Sequence, residues 1–220
     1  MNNYKLIIFD FDGTLCATHE AILFCIKKAY ETLGKTVPDH DFADATIREG
    51  LGMESTLKTL SPKLSDAELQ KLLDAYETIY LKEGEQKSAP FSKADEVLEK
   101  LYSAGYILTV VSNKAIGAVN AALKHFALEK YISIAVGDTK TLRKKPDPMA
   151  YNDFIKVKFP LINPREILMV GDTPADIVFA QNIGADSCWA EYGYGDAKIC
   201  RELKPTYSIR HLTDILAILP

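Results

Sequence analysis

The sequence predicts an α/β fold, in which a doubly wound, mostly parallel sheet carries an inserted, purely helical segment. Three observations lead to this prediction. Short apolar runs are continuous and rich in β-branched or aromatic residues, as in strands that are buried on both faces of a parallel sheet. Helical patterns separate most of these runs. One long interval, residues 17–87, has helical patterns alone.

Six apolar runs are the predicted strands of this Rossmann-like sheet. In chain order they are Leu6–Phe11, Tyr106–Val111, Tyr131–Val136, Ile167–Val170, Cys188–Tyr192 and Thr206–Ile209. Apolar residues three and four positions apart predict helices over Ala94–Tyr102, Ile116–Leu123 and Ile177–Ile183. Gly105 and Gly184 follow the first and the third of these helices and are typical stop signals.

The helical interval is predicted to form a cap. Ile22–Leu33 has one apolar face, and a second helix follows a capping-box pattern that begins at Ser65. The piece between them, Asp39–Ser55, is polar and punctuated by glycine. We therefore expect hinges near Cys16–Thr18 and Gly84–Pro90. The expected domains are an α/β core domain of residues 1–16 and 88–220 and an α-helical cap domain of residues 17–87.

Composition and charge restrict the classes of partner. The chain has 220 residues, is 47% hydrophobic and 25% charged, and carries a formal net charge of −4. This charge gives no electrostatic reason to expect nucleic acid as a partner. No stretch reaches the roughly 18 apolar residues of a membrane helix, and the four cysteines form no CxxC pair. We expect a cytoplasmic protein, a monomer or homodimer, that binds neither nucleic acid nor membrane.

Polar residues follow four of the predicted strands, at the positions where an open α/β sheet binds its ligands. Asp10 and Asp12 lie at the end of the first strand, and Gly13 permits a tight turn. Neighbouring carboxylates repel each other unless a cation or a proton intervenes. A magnesium ion would relieve this repulsion and leave the second aspartate free to act as an acid or base. The alternative is an ordinary Asp-Gly turn.

Two further clusters offer groups that bind phosphate. Ser112 and Asn113 follow the second strand, and a serine hydroxyl with backbone N–H groups at a helix N-terminus forms an anion site. The alternative is a plain N-cap serine. Lys145 lies in a stiff Lys-Pro-Asp-Pro turn, where it would offer a fixed positive charge to a phosphate or a carboxylate. The alternative is a solvated basic loop.

The fourth cluster, Gly171–Asp176, follows the fourth predicted strand. Thr173 is the predicted N-cap of the next helix, Pro174 its first residue and Asp176 the acid of a capping box. Asp176 therefore has a structural explanation. Asp172 has none, and a metal ligand is its natural interpretation.

The order of these four clusters resembles the motifs of the haloacid dehalogenase (HAD) superfamily of hydrolases. The stretches DFDGTL, VVSNK, KKPDP and VGDTPADI are similar to the family's first, second, third and fourth motifs. The resemblance spans nearly the whole chain. The helical interval resembles the cap of the phosphoglycolate phosphatase and β-phosphoglucomutase branch, which implies that the cap selects the substrate.

The resemblance implies a role for each motif residue. Asp10 would be the nucleophile that forms an aspartyl-phosphate, and Asp12 the general acid and base. Lys145 and Ser112 would bind the phosphate, and Asn113 would donate its backbone N–H to it.

The resemblance also implies a Mg²⁺ site. Its ligands would be Asp10, Asp172 and the backbone carbonyl of Asp12, with Asp176 as a supporting acid. The ion and a nearby lysine would screen the repulsion between an anionic nucleophile and an anionic phosphate.

Asp12 bears on the reaction, because family members that cleave carbon–halogen bonds lack an aspartate at this position. We expect a Mg²⁺-dependent phosphatase for a small phosphorylated metabolite, with 2-phosphoglycolate as the best single candidate. Inorganic pyrophosphatase activity and a sugar phosphomutase of the β-phosphoglucomutase type are the alternatives. A non-catalytic binding module on the same fold is a further one, and the intact set of motif residues argues against it.

Two further basic residues, Arg48 and Lys144, are candidates for the site. Arg48, in the stretch TIREGLG, is predicted to meet a second anionic group of the substrate, and the alternative is a solvated surface arginine. Lys144 stands where the family often has glycine, and it would share the role of Lys145.

Overall fold

The computed structural model describes residues 3–139 and 141–219. Its strands are β1 (Leu6–Phe9), β2 (Cys16–Ala17), β3 (Ala89–Pro90), β4 (Ile107–Ala115), β5 (Ile132–Asp138), β6 (Ile167–Gly171), β7 (Asp186–Ala190) and β8 (Tyr207–Ile209). Six of them form one sheet in the order β5-β4-β1-β6-β7-β8, and every neighbouring pair in it is parallel. In the centre, Leu6 of β1 lies opposite Ile107 of β4 and Ile167 of β6.

The helices of the described residues are α1 (His19–Thr32), α2 (His40–Ile47), α3 (Met53–Leu60), α4 (Asp66–Ile79), α5 (Ala94–Ser103), α6 (Ile116–His125), α7 (Lys156–Lys158), α8 (Pro174–Ile183), α9 (Ala197–Glu202) and α10 (Ile215–Ile218). A π-helical turn, Tyr80–Gly84, extends α4, and another, Tyr151–Ile155, precedes α7. None of these helices is both long and apolar enough to cross a membrane.

Helices cover both faces of the main sheet. Ile7 and Phe9 of β1 belong to an apolar cluster with residues of α5, α6 and α10. The alternate residues, Leu6 and Ile8, belong to a second cluster with Phe179 of α8 and the π-helical turn before α7. These four β1 side chains are completely buried. A parallel sheet that is covered on both faces explains the continuous apolar runs, and the predicted doubly wound α/β fold is confirmed.

The helical insert, which we define as residues 17–87, has an apolar cluster of its own. Helices α1, α3 and α4 contribute its most buried members, which include Ile26, Tyr30, Leu57 and Leu72. Two chain crossings connect the insert to the sheet, and they pair as the antiparallel ribbon of β2 and β3. The expected hinges near Cys16–Thr18 and Gly84–Pro90 include this ribbon. Movement of the insert as a cap remains a prediction.

The structure corrects several local expectations. The stretch Asp39–Ser55 was predicted as a polar, glycine-containing connection between two helices. It contains a further helix, α2, and the start of α3. Asp39 begins α2, and its side chain accepts hydrogen bonds from two backbone N–H groups of the first turn. Both helices span eight residues, about two turns, which is too short for a clear apolar period. β7 begins two residues before the predicted Cys188.

The second sheet strand also differs from its prediction. β4 continues past Val111 to Ala115, with an irregular register over the extra residues. Ala115, not Ser112, is the N-cap of α6. The interpretation of Ser112 as an N-cap residue was therefore wrong. The irregular strand end instead turns polar groups toward the carboxyl edge of the sheet.

The direction in which the chain adds strands reverses between β1 and β6. From β1 the chain builds β4 and β5 on one side, then returns to build β6, β7 and β8 on the other side. In open α/β sheets, ligands bind beyond the carboxyl ends of the strands at such a reversal. The fold thus indicates a binding site where β1 and β6 end.

Candidate active site

Three buried carboxylates meet at the carboxyl ends of β1 and β6. Asp10 follows β1, Asp172 follows β6, and Asp176 lies in the first turn of α8. Each offers one ligand atom, and these atoms all lie within 4.8 Å of one another. The exposed fractions of the three residues are 7%, 0% and 1%. Tertiary structure thus brings together the acids of the first and fourth motifs, although Asp10 and Asp172 are 162 positions apart in sequence.

Lys145 is the cation of this cluster. Its Nζ lies 2.8 Å from Oδ1 of Asp10 and donates a hydrogen bond of 2.6 Å to Oδ1 of Asp176. The side chain of Lys145 is only 2% exposed. Oδ1 of Asp10 contacts this ammonium as an ion pair but accepts no hydrogen bond of good geometry. When all three acids are ionised, one ammonium leaves two negative charges uncompensated.

The protonation of these acids reflects burial among like charges. Burial raises the pKa of Asp10 from 3.8 to about 7, although Lys145 opposes the shift. Burial also raises the pKa of Asp172 well above its ordinary value, and the charges of Asp10 and Asp176 add to this effect. Both directions indicate carboxylates that need a further cation to remain ionised at neutral pH.

The donor set of the cluster fits a hard divalent cation. Carboxylate oxygens are the ligands that Mg²⁺ and similar ions prefer, and two uncompensated charges match a divalent ion. Asp10, Asp172 and Asp176 would hold it. The side chain of Asp12 lies outside this cluster, so any contribution of Asp12 to the metal would come from its backbone.

Hydrogen bonds fix Asp172 on both sides of its carboxylate. Thr14 Oγ1 donates to Oδ1 at 3.0 Å, and the backbone N–H of Tyr194 donates to Oδ2 at 2.8 Å. The indole Nε1 of Trp189 donates to the backbone carbonyl of Asp172 at 3.1 Å. These supporting residues were not predicted, since nothing in their local pattern relates them to a distant acid.

Two glycines permit this close packing around Asp172. A Cβ at Gly13 would lie 2.2 Å from Oδ2 of Asp172, and the φ of Gly13 is +78°. A Cβ at Gly193 would lie 2.1 Å from the Cβ of Asp172. Both distances are far below van der Waals contact, so each position requires glycine.

Asp176 caps α8 and also faces the carboxylate cluster. Its Oδ2 accepts hydrogen bonds from the backbone N–H and the hydroxyl of Thr173, at 3.0 and 2.7 Å. This is the predicted capping box, with Pro174 as the first residue of α8. Its Oδ1 accepts the hydrogen bond from Lys145. The helix start therefore holds one carboxylate oxygen and leaves the other for the site.

Asn113 holds the loop that carries Lys145. Its Oδ1 accepts a hydrogen bond of 2.7 Å from the backbone N–H of Lys145, and its Nδ2 donates to the Lys145 carbonyl at 3.0 Å. The same Nδ2 donates to the carbonyl of Gly50 in the helical insert at 2.7 Å. Only a backbone contact to phosphate was predicted for Asn113, and this use of its side chain was missed. Ser112 is buried and lines the cavity beside it.

Asp12 forms an ion pair with Lys114. The Lys114 Nζ donates to Oδ1 and Oδ2 of Asp12 at 3.1 and 3.3 Å, and it lies 3.9 Å from the ring centroid of Tyr80. Burial lowers the pKa of Lys114, but the charge of Asp12 and the contact with Tyr80 outweigh burial and raise it above its ordinary value. Lys114 belongs to the second motif, yet nothing in its local pattern singles it out.

Arg48 and Lys144 are placed away from the carboxylate cluster. Arg48 donates to Asp44 at 2.6 and 3.2 Å and to the carbonyl of Tyr194 at 2.8 Å, and it does not line the cavity. Its guanidinium thus connects the insert to the core, and the predicted contact with substrate stays a prediction. Lys144 Nζ lies 2.9 Å from Asp138 and 3.6 Å from Glu54.

A cavity of about 360 Å³ opens over the carboxylate cluster. The polar residues that line the cavity from the sheet side include Asp10, Asp12, Ser112, Asn113, Lys114, Lys145 and Asp172. The opposite wall comes from the helical insert, including Tyr76 and Tyr80. A reaction in this cavity would be partly shielded from water by the insert.

Comparisons with known proteins agree with this architecture. Residues 7–190 match the family model of haloacid dehalogenase-like hydrolases. The chain is 34% identical to a phosphoglycolate phosphatase of Psychrobacter arcticus, an alignment that covers 92% of this chain and 90% of that protein. It is 27% identical to the pyrophosphatase PpaX of Listeria innocua, over 96% of this chain and 94% of that protein.

A solved structure shares the whole fold. The crystal structure of a predicted phosphoglycolate phosphatase from Haemophilus somnus superposes with a TM-score of 0.90, covers 100% of both chains and is 27% identical. The family match includes the strands that deliver Asp10 and Asp172 and the loop of Lys145. The chain therefore belongs to the haloacid dehalogenase-like hydrolases.

Proposed function

We propose that this chain is a Mg²⁺-dependent phosphatase that hydrolyses a small phosphomonoester through an aspartyl-phosphate on Asp10. The observation that carries the proposal is the buried cluster of Asp10, Asp172 and Asp176 around Lys145, at the reversal point of the sheet. The similarity to a phosphoglycolate phosphatase and to a pyrophosphatase supports phosphate chemistry.

Asp10 would attack the phosphorus of the ester with a carboxylate oxygen. A bond forms between that oxygen and phosphorus, and the bond from phosphorus to the leaving oxygen breaks. Asp12 would donate a proton to the leaving oxygen and then accept one from the water that hydrolyses the aspartyl-phosphate. Lys145, held between Asp10 and Asp176, would neutralise charge on the phosphate oxygens.

Mg²⁺, when bound by Asp10, Asp172 and Asp176, would supply positive charge that lowers the repulsion between the nucleophile and the phosphate. The protein's own contribution is to hold these groups in place. Thr14 and Tyr194 orient Asp172, Thr173 orients Asp176, and Asn113 fixes the Lys145 loop. Such positioning before the reaction is a main source of catalysis in phosphoryl transfer.

The relatives' names give two first substrates to assay. 2-Phosphoglycolate is the first, because a phosphoglycolate phosphatase is similar to this chain along nearly its whole length. Pyrophosphate is the second, because the pyrophosphatase PpaX is also similar. A phosphomutase of the same family would differ by returning the phosphoryl group to a sugar and by needing a bisphosphate activator.

The experiment that tests the proposal is phosphate release from an aryl phosphate with and without Mg²⁺. Wild-type protein should release phosphate only with the metal, and Asp10→Asn should release none while keeping the wild-type circular dichroism spectrum. The matched control is Asp95→Asn, the same chemical change at an exposed position of α5, which should keep wild-type turnover. Turnover by Asp10→Asn near the wild-type rate would reject the nucleophile.

A further inference from the structure

The wall of the cavity that faces the carboxylate cluster is apolar. It belongs to the helical insert, and the side chains that form most of it are Ile47, Met53, Leu73, Tyr76, Tyr80 and Leu81. Leu81 is 54% exposed, although leucine is normally buried. An exposed leucine at the edge of a cavity provides apolar surface that a ligand can cover. The phosphate end and the opposite end of this cavity therefore differ in chemistry.

The charged groups on this wall are acidic. Among the described residues of the insert that line the cavity, Glu54 and Glu77 are charged, and none is lysine, arginine or histidine. On the sheet side, Asp138 adds a further carboxylate near Ala115 and Ala118. Lys144, which does not line the cavity, lies 3.6 Å from Glu54 and 2.9 Å from Asp138 and is paired with them. The insert side therefore offers a second anionic group of a substrate no cation of its own.

The lysines that do line the cavity are already paired with acids. Lys145 contacts Asp10 and Asp176, and Lys114 contacts both carboxylate oxygens of Asp12. Tyr80 covers another side of the Lys114 ammonium. The phosphate of the substrate would engage Lys145, since that lysine lies at the nucleophile. A carboxylate elsewhere on the substrate would have to share Lys114 with Asp12.

We infer that the leaving group of the substrate is an uncharged, largely apolar alcohol, so that the physiological substrate is a phosphomonoester without a second anionic group. This inference rests on the proposed phosphatase function and deepens it. It favours neither 2-phosphoglycolate, whose leaving group carries a carboxylate, nor pyrophosphate, whose leaving group is itself an anion.

The physical argument is one of unequal desolvation. An apolar leaving group gains free energy when the apolar wall removes it from water. A carboxylate in the same place loses hydration without gaining a cationic partner, and unpaired buried charges are strongly unfavourable. The volume of about 360 Å³ lies within the range of pockets that bury small organic ligands.

The test compares pairs of substrates that differ in one charge. In the first pair, 4-carboxybenzyl phosphate has a carboxylate far from the reacting oxygen that benzyl phosphate lacks. In the second pair, carbamoylmethyl phosphate has an amide in place of the carboxylate of 2-phosphoglycolate. We expect the neutral member of each pair to have the higher kcat/KM, by about tenfold or more. A higher kcat/KM for the anionic members would overturn the inference.

A positive charge placed on the wall should weaken the preference for the neutral ester. Leu81→Lys adds a cation at an exposed position beside the cavity. It should reduce the ratio of kcat/KM for benzyl phosphate to kcat/KM for 4-carboxybenzyl phosphate at least about threefold. The control is Leu161→Lys, the same change at a residue that is 93% exposed and lies away from this cavity, which should leave the ratio unchanged. An equal effect of both variants would contradict the proposed wall.

Failure of this inference can be distinguished from failure of the proposed function. If the protein releases phosphate from none of the four esters with Mg²⁺, the phosphatase proposal itself fails. If it releases phosphate and prefers the carboxylates, only the neutral leaving group is wrong. Equal rates within each pair would also overturn the inference of a neutral leaving group, because the wall would then not distinguish neutral from anionic esters.

Discussion

Lys114 and Asp12 form an ion pair in which one ammonium lies 3.1 Å and 3.3 Å from the two oxygens of the same carboxylate. The Lys114 side chain is 8% exposed, and Tyr80 of the helical insert lies against its ammonium. The residue proposed as general acid and base is therefore held by a lysine of the sheet, which is in turn in contact with the insert. This arrangement makes Lys114 a positioning residue in the proposed reaction.

Replacement of Lys114 should mainly affect the proton-transfer step. Lys114→Met should lower kcat by roughly ten- to a hundredfold, since general acid–base catalysis contributes about 10²–10⁴ and Asp12 itself remains. The pH dependence of kcat should change as well, because the ionised form of Asp12 loses its partner. Lys124→Met, the same change at an exposed position of α6, is the control. An unchanged pH profile in Lys114→Met would contradict the positioning role.

Removal of the Asn113 side chain should affect both stability and turnover. Asn113→Ala leaves the backbone N–H of Lys145 and two carbonyls without their partners. Each unsatisfied buried group costs about 1–3 kcal/mol, so the free energy of unfolding should fall measurably in urea titrations. kcat should fall too, because the Lys145 loop is no longer fixed. Asn120→Ala, at an exposed site of α6, should change neither quantity.

A methyl group at Gly13 should damage the metal site. The Gly13→Ala variant would place Cβ 2.2 Å from Oδ2 of Asp172 at a φ of +78°. Gly105→Ala is a matched control, since Gly105 also has a positive φ, of +90°, but no atom within 4 Å of the added Cβ. Gly105→Ala should cost about 1–2 kcal/mol of stability and keep full activity. Gly13→Ala should lose activity and Mg²⁺ binding, and wild-type metal affinity in this variant would reject the argument.

Stability should depend on pH and Mg²⁺ together. Burial raises the pKa of Asp10 from 3.8 to about 7, so without metal this group contributes stability at low pH that is lost as the pH rises to about 7. Mg²⁺, if bound by the ionised carboxylates as proposed, should restore that stability. The increase in Tm on adding Mg²⁺ should therefore be larger at about pH 8 than at about pH 6. The increase should disappear in Asp172→Asn, and a Mg²⁺ effect that grows toward acid pH would contradict the assignment.

The variant Arg48→Met tests whether Arg48 contacts the substrate or only connects the insert to the core. If Arg48 binds an anionic group of the substrate, KM should rise for 2-phosphoglycolate and not for benzyl phosphate. Because its guanidinium is engaged by Asp44 and the Tyr194 carbonyl, we expect the same relative change for both esters. Steady-state kinetics with the two substrates decide between these outcomes.

The sequence by itself determined the sheet and the identity of the motif acids. Continuous apolar runs predicted parallel strands, and Asp172 could be recognised because the helix cap explained Thr173 and Asp176 but left Asp172 without a structural reason. These are local signals, since strand burial and helix capping are governed by residues a few positions apart.

Only the tertiary structure decided which residues support those acids and what faces them. Thr14, Tyr194 and Asn113 act through contacts with residues 22 to 158 positions away, and no local pattern encodes such contacts. The same holds for the apolar and acidic wall, whose members come from five helical elements that face the sheet only after folding. Side-chain contacts between distant segments depend on the relative placement of whole elements, which a periodic pattern within one element does not specify.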